Sequence, residues 1–491
     1  MERLSNIDWV LLGKVGYPIL ILAVCLRIVH DTRNTTKALA YMLLTIFLPV
    51  VGALVYFSFG INYRQRSLYS KKLTDDEALL AQVQRRITET SRQTMQAAAD
   101  YVKHNRELAR LLVRDNVSPL MAGNRVTLLL NGEEKFAQVL AALETARHHI
   151  HIEYYIYEDD RIGNALKDVL IRKAREGVQV RFIYDDFGSR SIRRTIVPAL
   201  RAAGVAAYPF HKILFVALAN RLNYRNHRKI IVIDGCTAFT GGVNVSDRYI
   251  NAPGPPEKLY WRDTHLRIDG PGSYYLQYVF LCDWNFCSGQ KLAADRTFFC
   301  PPAAQPSVEG AIVQIGASGP DSRLPSLLYA FLQVINLAER EILITTPYFI
   351  PNDSLLDALL IAALSGVSVK LLVPGQSDSR LVNAAAYSYY PDLLDAGVEI
   401  YRYQKGFVHA KTLVADGRLA AVGTANLDNR SFDMNFEVVA FVYDTALAGQ
   451  LTRAFYQDVQ DAERIDPQRW KGRSRLRQLG EKAARLVSPL L

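Results

Sequence analysis

One pattern constrains this 491-residue chain more than any other: His227-x-Lys229-x4-Asp234 followed by Asn244 recurs as His409-x-Lys411-x4-Asp416 followed by Asn426. The second copy lies 182 residues after the first, and each asparagine falls 17 residues past its histidine. With residue frequencies near one in twenty, three fixed offsets from a given histidine arise by chance roughly once in ten thousand. Two hits in register therefore mark an internal duplication. Fainter echoes accompany it: Gly177-Val178-Gln179-Val180-Arg181 with Gly366-Val367-Ser368-Val369-Lys370, and Ala203-Gly204-Val205 with Ala396-Gly397-Val398. A chain written this way folds as two related halves.

The spacing carries chemistry. Ile230–Ile233 and Thr412–Ala415 are apolar enough for strands buried in a sheet. Alternate strand residues share a face, so His227 and Lys229 point one way and Asp234 the other, and the same parity holds for His409, Lys411 and Asp416. That parity sends histidine and lysine into a site and reads each aspartate as a backbone anchor. Gly241-Gly242-Val243-Asn244 and Gly423-Thr424-Ala425-Asn426 read as turns that carry an amide towards the imidazole, Thr424 for Gly242 being the departure between them. A neutral imidazole beside an ammonium and an amide, present twice, suits a phosphate diester, whose non-bridging oxygens cations and amides cradle. One imidazole attacks phosphorus while the other protonates the leaving alcohol. The attacking histidine needs its second ring nitrogen held, usually by a carboxylate. Glu437, in the apolar strand Phe436–Tyr443, and Asp263, in Trp261-Arg262-Asp263-Thr264-His265, are the candidates. Asp263 stands 36 residues past His227 and Glu437 28 past His409, a difference that requires an insertion around Asn251–Glu257. A zinc site of His227, His265 and His409 is disfavoured, because a lysine two residues from each motif histidine repels a cation.

The flanking sequence alternates strand-like and helix-like runs: Val126–Leu130, Glu133–Arg147, Ile150–Tyr157, Asn164–Arg175 and Val178–Tyr184, as in an α/β layered fold. No charge occurs between Ala38 and Tyr63, long enough for a transmembrane helix, with Pro49 and Gly52 near its middle able to kink it. Trp9–Val29 is apolar apart from Lys14 and Arg27, and the short link Ile28–Lys37 closes a helical hairpin. Arg64, Arg66, Lys71 and Lys72 slightly outnumber the cations of the link, which puts the bulk of the chain on the cytoplasmic side. Net charge, 58 − 48 = +10 with 49% hydrophobic residues, suits an anionic partner. Cys25, Cys236, Cys282, Cys287 and Cys300 form no CxxC pair and are too few for a disulfide framework, which points to a reducing environment; Cys282 and Cys287 read as core thiols. The reading divides the chain into a transmembrane hairpin (1–65), a helical connector (66–117), a first lobe (118–305), a second lobe (306–465) and a basic amphipathic tail (466–491).

The duplicated H-x-K-x4-D motif resembles that of the phospholipase D superfamily. Asn226-His227-Arg228-Lys229-Ile230, Asp283-Trp284, Thr346-Pro347-Tyr348-Phe349-Ile350-Pro351, the two N-terminal spans and the closing Ser488-Pro489-Leu490-Leu491 are together similar to bacterial cardiolipin synthases. The resemblance covers essentially the whole chain. It implies two phospholipase D-like α/β lobes in pseudo-twofold arrangement with one active site between them, no metal, no cofactor and a phosphatidyl-histidine intermediate. Carried over residue by residue, the catalytic set falls on His227, Lys229, Asn244, His409, Lys411 and Asn426, with the motif aspartates Asp234 and Asp416. The implied reaction transfers a phosphatidyl group from one phosphatidylglycerol to another with release of glycerol. His227 is then the nucleophile and His409 the general acid and later base. Phosphatidylglycerol and anionic phospholipids are the implied partners, and a multi-pass protein of the bacterial inner membrane with cytoplasmic lobes is the implied location.

Two other classes compete: a phosphodiesterase or nuclease on the same scaffold, and a membrane-anchored anion-binding protein. Intact His, Lys and Asn in both halves disfavour the second. The lack of an aromatic stripe with interleaved basic residues turns the first away from nucleic acid. An insert at Lys212–Asn220, bearing Ile213, Leu214, Phe215, Val216 and Leu218, reads as a helix that dips into the interface beside the first motif. The tail Arg469–Leu491 mixes Lys471, Arg473, Arg475, Arg477, Lys482 and Arg485 with leucines, as a membrane-surface helix does.

Overall fold

The apolar runs that carry the two motifs become strands of one large mixed sheet, with six other strands between them. The computed structural model describes residues 9–32, 35–57, 77–98, 100–210, 224–251, 258–293, 295–300, 310–486 and 488. The Lys212–Asn220 insert, the end of the apolar stretch beyond Phe57, and Pro489 to Leu491 lie outside them. The chain divides into two compact units, Met1–Leu68 with Ile213–Tyr224, and Tyr69–Lys212 with Arg225–Leu491.

In the larger unit the sheet has 15 strands. From one edge they run Ala206–Pro209, Gln179–Tyr184, His149–Tyr154, Lys229–Ile233, Thr237–Gly241, Thr264–Asp269 and Met121–Leu130. The order then repeats in reverse: Ala311–Ser318, Glu437–Tyr443, Leu419–Gly423, Thr412–Ala415, Glu341–Thr345, Ser368–Pro374 and Glu399–Tyr403, with Ala462–Arg464 added at the far edge. Each half thus has the same seven-strand order, and the halves join where Met121–Leu130 pairs antiparallel with Ala311–Ser318. Residues on both faces are apolar because helices cover both. On one face pack Asn131–Glu144 and Arg161–Arg175 in the first half and Ser326–Leu337 and Asp353–Leu364 in the second. On the other, Tyr274–Ser288 and Thr445–Gln460 bury Leu276, Val279, Leu447 and Leu451 against Val232, Val414 and Val438. The helices start and stop on local signals: Asp160 accepts from the Gly163 amide at the start of Arg161–Arg175, whose last turn holds Arg172, Lys173 and Arg175. The connector is helical over Glu77–Ala97, Asp100–His104 and Arg106–Asn116.

Each motif aspartate opens a tight hairpin. Asp234 and Gly235 have φ of 48° and 70°, Asp416 and Gly417 of 54° and 64°. The amides of Cys236 and Arg418 close the turns on Ile233 and Ala415 at 3.1 and 2.9 Å. Two positive φ values in an Asp-Gly turn match the twist of the flanking strands. The carboxylate of Asp234 then accepts from the amides of Arg147, His148 and His149 at 2.8, 2.8 and 2.9 Å. Asp416 repeats this with Glu339, Arg340 and Glu341 at 3.0, 2.8 and 2.9 Å. Both aspartates therefore fix the start of the strand beside their own motif strand, at the end remote from the motif histidine. Placing them in the catalytic set is corrected by this geometry.

Two expectations change. The stretch expected to form one long helix from Ala38 is broken: Thr35–Phe47 ends at Leu48, and Pro49, which has no N–H to continue the ladder, starts the short helix Pro49–Val55. The chain turns back there. A Cβ on Gly52 would lie 2.4 Å from the Thr45 Cα, and Tyr56 returns to hydrogen-bond the Arg27 carbonyl at 3.2 Å. Among the described residues no helix is long and apolar enough to cross a membrane. Cysteine usage also differs, because Cys236 and Cys300 form a disulfide with their Cα atoms 4.6 Å apart. Their 64-residue separation leaves no short-spacing signal. Cys25, Cys282 and Cys287 are free.

Burial raises the Asp234 carboxyl, but its three amide donors outweigh this and hold it below the usual carboxylate range. Its contribution to stability is present at neutral pH and fades as the pH falls below 3.8 towards the lowered value. Asp234→Ala and Asp416→Ala should each cost about 2 to 4 kcal/mol, from lost charge-assisted hydrogen bonds and a strained positive φ. Asn at either position should cost about half as much, since it keeps an acceptor and tolerates the turn. Urea denaturation midpoints of the four variants check this, and an unchanged midpoint for the alanine variants would remove the anchoring role.

Candidate active site

Both motif histidines sit just upstream of their strands, where the two halves touch. The amide of His227 donates to the Phe436 carbonyl at 3.0 Å, and the amide of Phe436 to the Arg225 carbonyl at 2.9 Å. On the other side Gly406–Val408 pairs in parallel with Tyr260–Arg262, and the amide of His409 donates to the Arg262 carbonyl at 2.7 Å. In both cases the residue that holds the histidine backbone immediately precedes a buried carboxylate. Glu437 lies 3.0 Å from Nδ1 of His227, and Asp263 lies 2.7 Å from Nδ1 of His409. The pairing is crosswise: each histidine is oriented by the half that does not contain it. A proton on Nδ1, which each carboxylate favours, leaves the Nε2 lone pair for chemistry.

The carboxylates are themselves held. Thr424 donates its hydroxyl to Glu437 at 2.5 Å, Asn435 adds a bond at 3.2 Å, and the Thr424 carbonyl lies 3.1 Å from Nδ1 of His227. On the first-half side Asp263 accepts from the Thr264 amide at 2.7 Å. A Cβ on Gly242 would sit 2.1 Å from its Oδ1. The Gly242/Thr424 difference thus has a cause: a threonine reaches the longer Glu437, and only glycine leaves room for Asp263. The 252–257 stretch lies outside the described residues, and Asp263 pairs with its histidine regardless.

Lys229 and Lys411 fold back alike. Nζ of Lys229 donates to the His227 carbonyl at 2.8 Å; Nζ of Lys411 donates to that of His409 and lies 3.1 Å from its Nε2. Asn244 donates to the Tyr249 hydroxyl at 2.8 Å and accepts from the Ile156 amide at 3.3 Å. Oδ1 of Asn426 is buried with no partner among the described residues. Neighbouring segments brace these groups. Asn226 and Arg228, on either side of His227, engage the buried carboxylates Glu153 and Asp283. Phe349–Ile350 pairs with Leu427–Asp428 beside Asn426.

Burial dominates the electrostatics. It pushes His227 down to about 4 and His409 to about 3, Glu437 and Asp263 opposing the shift only in part. Burial likewise brings Lys229 down to about 7, helped by the charge of Lys411, and Lys411 down to about 8. Glu437 is raised by burial but ends below its ordinary value because His227 and Lys229 outweigh it. At neutral pH the site holds neutral imidazoles and lysines close to titration.

Sequence reasoning missed several neighbours. Tyr155 meets His227 edge-on with ring centres 4.8 Å apart, and Trp261 and Tyr249 approach His409 at 5.6 and 5.8 Å. Lys135 is fully buried under the site, donating to the Val243 carbonyl at 3.3 Å; burial puts it well below an ordinary lysine. Its signal was available, since Lys135 shares the apolar stripe with Val139 and Ala142 of its helix. His265 is buried against Gly241, with neither ring nitrogen bonded among the described residues. Among the described residues no group of three or more His, Cys, Asp or Glu side chains is placed to hold a metal ion.

The chain is similar to known proteins along nearly its whole length. The family described as "Cardiolipin synthase, PLD-like domain" matches residues 139–253 and 331–459. "Phospholipase_D-nuclease N-terminal" matches residues 19–60. A cardiolipin synthase of Geobacillus kaustophilus (strain HTA426) is 42% identical over 473 residues, 96% of this chain and 92% of its own. The major cardiolipin synthase of Bacillus subtilis (strain 168) is 38% identical over 475 residues, covering 96% and 97%. The crystal structure of phosphatidylserine synthase from Haemophilus influenzae Rd KW20 shares the fold, with a TM-score of 0.57 at 15% identity over 78% of this chain and 100% of that one. With relatives of this kind along nearly its whole length, the chain belongs to the cardiolipin synthase family, enzymes built on phospholipase D-like lobes.

Proposed function

We propose that the chain moves a phosphatidyl group from one phosphatidylglycerol to a second, releasing glycerol and forming cardiolipin. The observation that carries the reading is the crosswise pair of carboxylate-held imidazoles flanked by two buried lysines. A diester anion between them is cradled by Lys229 and Lys411, with Asn244 and Asn426 beside it. One imidazole attacks phosphorus through Nε2, and the bond from phosphorus to the departing glycerol oxygen breaks. The other imidazole, its proton affinity raised by the bound anion, gives that oxygen its proton. It then takes a proton from the hydroxyl of the second phosphatidylglycerol, which attacks phosphorus as the P–N bond breaks. The carboxylates keep Nδ1 protonated throughout and stabilise each imidazolium as it forms.

The N-terminal unit attaches the enzyme to the bacterial inner membrane, with the lobes at its cytoplasmic face. Its support is the uncharged run from Ala38 and the exposed Leu43, Phe47, Val50 and Leu54 around the Pro49 reversal. In the tail, the helix Arg475–Arg485 exposes Leu476 and Leu479 among its cations, and Leu486 beyond it, a second surface suited to anionic lipid.

Radiolabelled phosphatidylglycerol vesicles incubated with the purified protein, with and without chelator, should yield cardiolipin and glycerol in both cases. His227→Ala and His409→Ala should each reduce the rate at least about 10³-fold. Phosphatidic acid as the main product would replace transfer by hydrolysis. The pH profile of kcat/KM should fall below about 4 as His227 gains a proton, and above about 7 to 8 as Lys229 and Lys411 lose theirs. A profile flat to pH 10 would exclude the lysine role. Gly242→Thr, which copies the second half, should lower kcat at least about a hundredfold by displacing Asp263. Thr424→Gly should cost about tenfold or less, because Asn435 still holds Glu437. Equal effects in steady-state assays would mean that the two carboxylates are not separately supported.

A further inference from the structure

Each site carboxylate has a buried arginine at its main chain. Nε of Arg228 donates to the Glu437 carbonyl at 3.4 Å, and its Nη2 donates at 3.5 Å to the carbonyl of Ser318, the residue paired with Glu437 across the ladder. Nη1 of Arg262 donates to the Asp263 carbonyl at 2.5 Å and to the Thr264 hydroxyl at 3.0 Å. Both guanidinium groups are ion-paired: Arg228 with Asp283, and Arg262 through Nε with Asp458 at 2.8 Å. All four residues are buried.

The two aspartates stand at corresponding places in the duplication. Asp283 follows Asp263 by 20 residues, on the helix Tyr274–Ser288, and Asp458 follows Glu437 by 21, on Thr445–Gln460. They act crosswise, as the site carboxylates do. Asp283 of the first half holds the arginine at Glu437, and Asp458 of the second half holds the arginine at Asp263. The arginines break the repeat, since both come from the first half: the second has Ala410 for Arg228 and Phe436 for Arg262. Instead, the Arg228 guanidinium lies over the Phe436 ring at 5.3 Å. A duplication that changes the source of a cation yet keeps its target at both ends points to a need at that target.

Such a pair adds position with little net charge. Burial works against the charge of Arg228, and Asp283 with Glu153 outweighs it, so the arginine stays protonated. Burial and Asp283 push Glu153 well above the usual carboxylate range, which leaves Asp283 as the main counter-ion. Apolar side chains of similar volume often replace a buried ion pair at little cost, so stability alone gives no reason for two of them.

We infer that Arg228–Asp283 and Arg262–Asp458 are positioning pairs for the reaction, each fixing one site carboxylate and, through it, one imidazole. The inference rests on the two-histidine chemistry proposed above. Arg228 acts through Glu437 on His227, which attacks phosphorus, and Arg262 acts through Asp263 on His409, which moves the proton.

The test uses the full-length protein in detergent and two double variants that remove a pair without leaving a buried charge: Arg228→Met with Asp283→Leu, and Arg262→Met with Asp458→Leu. Two probes separate the steps. Phosphatidyl-p-nitrophenol, with enzyme in excess, reports attack alone: Nε2 bonds to phosphorus, and p-nitrophenolate leaves with the electron pair of the P–O bond and needs no proton. Phosphatidylglycerol loses glycerol only when an imidazole protonates the departing oxygen. Loss of the Arg228 pair should slow both reactions at least about thirtyfold. Loss of the Arg262 pair should slow glycerol release as much, but p-nitrophenolate release less than about threefold. Arg262→Lys, which keeps the charge but not the fork, should fall between wild type and the double variant. The ratio of the two rates does not depend on how much enzyme is folded. Equal losses on the two probes in both variants, or no loss in either, overturn the inference. A selective loss in the Arg228 variant supports the pairs as positioning groups and exchanges the histidines' roles. Phosphatidic acid in place of cardiolipin from the wild type overturns the transferase reading and leaves this comparison intact.

Discussion

Everything at the candidate active site depends on the exchange of carboxylates between the two halves. Glu437 orients His227 and Asp263 orients His409, and each carboxylate follows the residue whose carbonyl fixes the opposing histidine's backbone. Backbone and side chain are thus positioned by the same two-residue segment, so a histidine cannot shift without opening the seam between the halves. Neither half holds a complete site. That accounts for a continuous sheet through the join: relative motion of the halves would misalign both imidazoles at once, and misplacement by an ångström is enough to cost much of the rate.

The charge balance follows from the same arrangement. Two lysines and two carboxylates are buried together, so their charges largely balance while each member stays expensive on its own. Lysines near 7 and 8 and imidazoles near 4 and 3 show how strongly burial favours the uncharged forms. A diester monoanion changes the sign of the field. In the proposed reaction it holds the lysines protonated and draws a proton onto one imidazole, so that the proposed acid is charged by the arrival of its substrate. A free-enzyme histidine of very low proton affinity is therefore compatible with acid catalysis.

Much of this was legible in sequence because it is local. The duplication and the apolar runs that become the two motif strands are properties of short windows, and the structure builds both strands alike; each histidine lies before its strand and each aspartate in the turn after it, so strand parity does not decide where they point. What could not be read is non-local. Glu437 and Asp263 stand out as carboxylates in apolar strands, but only the folded chain shows that each serves the other half's histidine. Tyr155 and Tyr249 meet the imidazoles through tertiary packing, and Cys236 finds Cys300 across 64 residues. At the N-terminus the charge-free run and the Pro49–Gly52 kink are plain in the sequence, but that the kink amounts to a full reversal rests on the packing of Gly52 against Thr45, which hydropathy does not record.

Duplication supplies two equivalent ends, whereas a transferase that joins two lipids must treat its donor and acceptor differently. The departures from symmetry fall where that distinction is needed. Asp263 with Gly242 against Glu437 with Thr424 gives the two imidazoles carboxylates of different reach and different support. Phe407 stands two residues before His409, where the first half has Arg225 two residues before His227. None of these changes touches the histidines, lysines or asparagines, so the chemistry stays common to both ends while the surroundings diverge. A symmetric scaffold can therefore keep the same histidines, lysines and asparagines in both halves while the residues one step removed from them differ in charge and shape.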